Sequence, residues 1–236
     1  MSLPAPQVSG QCANRIRPYH GLATTNNPPK HCRSSRQCER VALALLNAET
    51  EAGKQSLLEA GISGNRLRCH WIRRLLEAAG DRRIAYLIAV DTGLRRSEIK
   101  NLQWRHVYLH AEVPYIFLEG RYTKNKRDAY IPLLPELVAE FHRIKPSGAN
   151  SGDPVLVGTM MPTMWKMKSD LKNARIDFER DGRRADFHSL RHTFATRMAQ
   201  RNIPPRVAMQ LMRHSDMRLT MSHYTDQLAL PPCGRD

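Results

Sequence analysis

Between His188 and Tyr224 the chain reads HSLRHTF, then LMRHSDMRLT, then SHYTD. That stretch holds His188, Arg191, His192, His214 and Tyr224, and an upstream run, DTGLRRSEI, adds Arg95. The set suits one chemistry: attack by a tyrosine hydroxyl on a phosphodiester held by arginines and histidines. A phosphodiester under attack gathers negative charge on its two non-bridging oxygens. A guanidinium offers parallel donors that match those oxygens and keeps its proton near neutral pH. Donors aimed at such a transition state can supply about 3 kcal/mol each. Tyr224 is a poor nucleophile by itself, since a free phenol has a pKa of about 10, and it needs surrounding cations to act.

Each residue also has a plainer reading. In so basic a chain a single arginine is ordinarily a solvated charge, and Arg96, Arg183 and Arg184 are read that way. His188 and His192 lie four apart, a spacing that can bind a metal on one helix face. Here the segment is H-S-L-R-H, without the glutamate of H-E-x-x-H, and a cation beside Arg191 would be repelled, so no metal is expected. Leu190 and Phe194 point to a half-buried helix in which His192 can be structural. His188, on the same face as Arg191, is the better general base or phosphate ligand. His223 would point away from Tyr224 on a helix.

The chain has 37 Lys+Arg against 22 Asp+Glu, a formal charge of +15 and a pI of about 10.1. The excess is spread along the sequence, so it belongs to the folded part and favours a polyanionic partner. No run of eighteen apolar residues marks a membrane span, and no secretory pattern opens the chain. The five cysteines, Cys12, Cys32, Cys38, Cys69 and Cys233, form no C-x-x-C pair. Their odd number fits a reducing cytoplasm better than a disulfide framework. His20 and His31 lie among the first three, but the spacing matches no common zinc site.

The elements that must position these residues follow from periodicity. Residues 1–38 are proline-rich and read as a disordered leader. Residues 39–60 have helical character, GISGN breaks the chain, and 66–79 places Leu67, Trp71, Leu75 and Ala79 on one helical face. A helix with Ile84, Leu87, Ile88 and Asp91 ends at Gly93, and Ser97 to Leu102 start a short one. HVYLH, PYIFLE and AYIPLL between 105 and 134 read as strands, with a hairpin turn at 124–128. Pro135 opens a helix through Ile144, 146–154 is a loop, and further helices are expected over 162–179, 188–201 and 204–213. The fold class is therefore mainly α with a small antiparallel sheet.

DTGLRRSEI, HSLRHTFATRMA and LMRHSDMRLTMSHYTD together resemble the tyrosine recombinase (phage integrase) family. The likeness spans roughly residues 66–229, in the family's order, and implies that family's catalytic-domain fold. Residues 39–65 would then be a helical remnant or truncated DNA-binding region, and 230–236 a C-terminal tail. By resemblance Arg95 and Arg191 are the two catalytic arginines and Glu98 the acidic residue that supports the site. Lys124, with Lys126 as the alternative, is the hairpin lysine that protonates the leaving 5′ oxygen. His188 assists proton transfer, His214 fills the second histidine position, and Tyr224 is the nucleophile that becomes joined to a 3′ phosphate. The family implies a double-stranded DNA partner and assembly as a tetramer on DNA. It implies no cofactor, no metal, no membrane and no small-molecule substrate.

Three departures stand out. Arg213 replaces the family's usual glycine before the second histidine. Tyr224 lies one residue further from His214 than in the commonest members. Only about 65 residues precede the likeness, where members usually carry a separate DNA-binding domain. The last departure keeps open a truncated, recombination-deficient DNA-binding remnant. A topoisomerase-like activity and a metal-dependent hydrolase are weaker rivals.

Overall fold

A helix that is apolar all the way round must be buried on every side, and RIAYLIAVDT is such a segment. It forms the centre of the protein. The computed structural model describes residues 69–123, 126–180, 182–201 and 203–224, with the backbone alone at Cys69, Arg180, Arg183, His223 and Tyr224. The leader, the 39–65 stretch, Leu67 and the 230–236 tail expected from the sequence lie outside the described residues. α1 (Cys69–Ala78) buries Ile72, Leu75 and Leu76. A 3-10 turn (Gly80–Arg82) leads into α2 (Arg83–Thr92), in which every residue from Ile84 to Thr92 is buried.

Gly93 ends α2 in the left-handed conformation, at φ 61°, and its N–H donates to the Ala89 carbonyl at 3.1 Å. The short α3 (Arg96–Lys100) follows at once. Next come a 3-10 turn (Trp104–His106) and the sheet of β1 (Val107–Tyr108), β2 (Tyr115–Leu118) and β3 (Ala129–Pro132), antiparallel in the order β1-β2-β3. Ile116 pairs with Ile131 and Leu118 with Ala129, which sets four buried residues on one face. Tyr108, Tyr115, Phe117 and Tyr130 form an aromatic ladder on the other. α4 (Pro135–Ile144) takes its proline in the first turn, where the missing N–H costs nothing, and buries Leu137 and Phe141.

α5 (Met164–Asn173) is shorter than the helix expected over 162–179. Arg175 turns left-handed at φ 53°, and the Arg175 and Ile176 N–H groups close on the Lys172 and Leu171 carbonyls at 2.9 and 2.8 Å. That pair of bonds is a Schellman termination, with Ile176 and Leu171 both buried beneath it. From Glu179 the chain forms a second hairpin, β4 (Glu179–Arg180) with β5 (Arg183–Arg184). Its signal in the sequence is the Asp181-Gly182 dipeptide, typical of two-residue hairpins, just beyond the helix expected over 162–179.

α6 (Phe187–Gln200) opens on Asp186, whose carboxylate accepts from the Ser189 N–H at 2.9 Å. α7 (Pro205–Met212) and α8 (Met217–Tyr224) complete the described chain. One hydrophobic cluster gathers α1 to α5, the sheet and the first turn of α6. A second joins Phe194, Ala195 and Met198 of α6 to Ala208, Leu211 and Met212 of α7. No helix among the described residues is long and apolar enough to cross a membrane.

Candidate active site

Arg95 and Arg191 are 96 positions apart, and the fold brings both to the α2–α3 junction. Arg95 is the extended residue just before α3, and Glu98 lies in the first turn of that helix. The Glu98 Oε2 accepts the Arg95 backbone N–H at 2.8 Å, and its Oε1 accepts from Arg95 Nη1 at 3.0 Å. A carboxylate at this point caps the helix start and meets its positive end. Arg95 stays partly open to solvent, with 27% of its side chain exposed.

Arg191 lies one turn into α6 and is buried. Its Nη1 donates to the Gly93 carbonyl and its Nη2 to the Met212 carbonyl. Those acceptors stand at the C-terminal ends of α2 and α7, where a cation is favoured by both helix dipoles. Each Nη has a second N–H beyond these bonds. Burial, then the charges of Arg213 and Arg95, push the Arg191 guanidinium down to about 9, so it remains charged at neutral pH.

A third guanidinium completes the cluster. Arg213 Nη2 donates to Glu98 Oε2 at 2.8 Å and lies 3.3 Å from the Gly93 carbonyl. The Arg213 and Glu98 side chains are each only 3% exposed. Three guanidiniums around one carboxylate leave the locality cationic, as an anionic ligand requires.

His214 follows Arg213 in the turn out of α7. Its Nδ1 lies 3.0 Å from the Thr220 hydroxyl in α8, and Thr220 is buried. This contact ties α8 to the end of α7, and α8 ends at Tyr224. His188 is exposed in the first turn of α6, its ring edge-on to His192 with centroids 4.6 Å apart. Among the described residues no three His, Cys, Asp or Glu side chains gather as metal ligands.

The fold thus collects Arg95, Glu98 and Arg191, with His214 on the turn beside them. Lys124 and the Tyr224 side chain lie outside the described residues. Thr123, the residue before Lys124 in sequence, accepts the Arg127 N–H at 3.2 Å through its hydroxyl and donates to the Arg127 carbonyl at 2.8 Å. Lys126 is exposed, at φ 52°. Arg96 is exposed and donates to the Pro162 carbonyl at 2.9 Å, and Arg184 is exposed beside Glu179 at 3.3 Å. Arg213 and Thr220 were not among the residues singled out from sequence. The one signal for Arg213 was an arginine where a glycine is usual.

The chain belongs to the phage integrase family, whose model matches residues 65–229. It is 27% identical over 188 residues to a tyrosine recombinase XerC-like protein of Caldanaerobacter subterraneus subsp. tengcongensis, covering 65% of this chain and 48% of that protein. Its fold is that of the XerA recombinase, with a TM-score of 0.54 at 21% identity over 71% of this chain and 62% of that one. The integrase of transposon Tn1549, solved in complex with transposon right end DNA, matches with a TM-score of 0.51 at 18% identity, over 72% of this chain and 65% of that one. The chain spans between 33% and 55% of the length of the curated relatives it matches.

Proposed function

We propose that this chain is a tyrosine-type, site-specific DNA recombinase that cuts and rejoins duplex DNA through a covalent 3′-phosphotyrosyl intermediate. The observation that supports it best is that Arg95, held by Glu98, and Arg191, held by the Gly93 carbonyl, both stand at the α2–α3 junction, while His214 lies on the turn that leads into α8. In this reading the two guanidiniums hold the non-bridging oxygens of the scissile phosphate. The Tyr224 oxygen attacks phosphorus and passes its proton towards His188. The 5′ oxygen leaves with a proton from Lys124, or from Lys126. His214 supplies a further donor to the phosphate. Attack by a 5′ hydroxyl then reverses the step and releases Tyr224. The phosphotyrosyl bond keeps the energy of the bond broken, so rejoining needs no ATP, and charge stabilisation comes from side chains without a cofactor.

The partner in this reading is duplex DNA in a cytoplasm, with protomers assembling as a tetramer on the exchanging strands. The solved DNA complex of the Tn1549 integrase supports a DNA partner by likeness of fold. The test is a nicked suicide duplex carrying the DNA that flanks the gene, incubated with the protein and run on a denaturing gel. A shifted, protease-sensitive band that disappears in Tyr224→Phe is the expected result. A band that survives Tyr224→Phe removes the assignment of the nucleophile. No band, with duplex binding retained, would favour DNA binding without strand exchange.

A further inference from the structure

We propose that Arg213 is a positioning residue of this site, which holds Glu98 so that Glu98 in turn fixes the Arg95 guanidinium. The inference rests on the recombinase reading above and adds a residue to it. Arg213 sits at φ 53° and ψ 41° at the C-terminal end of α7. Its N–H donates to the Gln210 carbonyl and that of His214 to the Met209 carbonyl, both at 3.0 Å. This helix ending favours glycine, and a residue with a Cβ costs about 1 kcal/mol more there.

The side chain is placed at a cost as well. Arg213 is 5% exposed, and its Nε has no hydrogen-bond partner among the described residues. Arg95 and Arg191 add like charge nearby, and burial with the Arg95 charge lowers the Arg213 pKa. A residue that is strained in its backbone and incompletely satisfied in its side chain is poorly explained by stability alone.

What the side chain accomplishes is visible in its bonds. Its Nη2 takes the same Glu98 Oε2 that caps the Arg95 backbone N–H, leaving Oε1 for Arg95 Nη1. Glu98 is therefore held from both sides. Arg95 is bound through one edge of its guanidinium while part of the side chain faces solvent. The same bond joins α3, which follows Arg95, to the turn that carries His214, so the two halves of the site keep one spacing. In this role Arg213 acts through Glu98, its Nη2 being engaged by the Glu98 carboxylate and the Gly93 carbonyl, and not on the DNA backbone.

The experiment compares wild type, Arg213→Gly and Arg213→Lys, with Glu98→Gln alone and combined with Arg213→Gly. Three quantities are read: single-turnover adduct formation on saturating suicide duplex, melting temperature, and the guanidinium NMR signals of Arg95 in arginine-labelled protein, assigned through Arg95→Lys. Glycine fits the left-handed turn, so Arg213→Gly is expected to hold or raise the melting temperature. It is expected to slow adduct formation by about tenfold or more, the loss of one charged hydrogen bond acting in the transition state. The Arg95 signals, separated in wild type by hindered rotation, are expected to average. Arg213→Lys is expected to recover part of the rate, and Arg213→Gly to add nothing to Glu98→Gln. A wild-type rate in Arg213→Gly overturns the proposal. So does a rate lost only in step with melting temperature while the Arg95 signals stay unchanged. Should Arg213→Gly not fold, Arg213→Lys and the Arg95 signals carry the test. If wild type forms no adduct, the recombinase reading fails separately, and the Arg95 signals alone decide the role of Arg213.

Discussion

At the scale of single residues the site depends on Gly93 for two unrelated reasons. Its φ of 61° lies where L side chains are strained, and a Cβ built on it would stand 2.4 Å from Phe194 Cδ1. Its carbonyl must also stay where Arg191 reaches it. We expect Gly93→Ala to destabilise the protein by about 2–4 kcal/mol, combining left-handed strain with overpacking, as read from urea denaturation. Gly93→Ala combined with Phe194→Leu is expected to recover the packing part only. If the second change recovers nothing, the close approach of α6 is not what the glycine serves. The sequence pointed to Arg95, Glu98, Arg191 and His214 as candidates through three short motifs, and the fold brings them to one locality. It did not disclose what Arg213 does. An arginine in place of a glycine reads as a local departure until its dihedrals and its bond to Glu98 are visible, since neither is a property of residue type.

At the scale of elements, the turn that enters the sheet carries a built-in pH response. His106 is 3% exposed; its Nδ1 accepts the Gln103 N–H at 3.1 Å, and its Nε2 has no partner among the described residues. The ring must be neutral to accept that bond. Burial first, then the charge of Arg105, lowers its pKa below the ordinary 6.5. Below that value the unfolded chain takes up a proton that the folded chain refuses until a lower pH. The stability that neutral His106 contributes is therefore complete above about 6.5 and is lost as pH falls through the folded value. Urea midpoints measured between pH 7.5 and 5 are expected to fall less steeply in His106→Gln than in wild type. Parallel pH profiles would show that His106 does not titrate with folding. Elements were legible unevenly. Helices with long apolar stretches, such as α2, or a clear apolar face, such as α4, declared themselves in the sequence. The end of α5 did not, because its stop is a left-handed arginine and its sequel a hairpin with two-residue strands, too short for alternation to register.

At the scale of the whole molecule, the charge of +15 and the buried guanidinium cluster make different predictions about DNA, and salt separates them. A protein that neutralises phosphates releases counterions, so the logarithm of its affinity falls linearly with the logarithm of salt, by about 0.9 for each phosphate neutralised. Arg95 is partly open to solvent and is assigned to the phosphate. Arg213 carries the same formal charge but is closed in by Glu98 and the Gly93 carbonyl. Duplex affinities measured from 50 to 200 mM salt are therefore expected to give a slope shallower by about one for Arg95→Ala. For Arg213→Gly the slope is expected to match wild type, even though both variants slow adduct formation. Equal loss of slope in both would mean that Arg213 reaches the backbone of the DNA itself, and its assignment as a positioning residue would give way to direct phosphate contact. A wild-type slope in Arg95→Ala would instead detach Arg95 from the phosphate, and the convergence of arginines would then have to be explained by folding alone. A net positive charge favours any polyanion; the salt slopes of the two variants tell the guanidinium that Glu98 leaves partly open, that of Arg95, from the one it draws inward, that of Arg213.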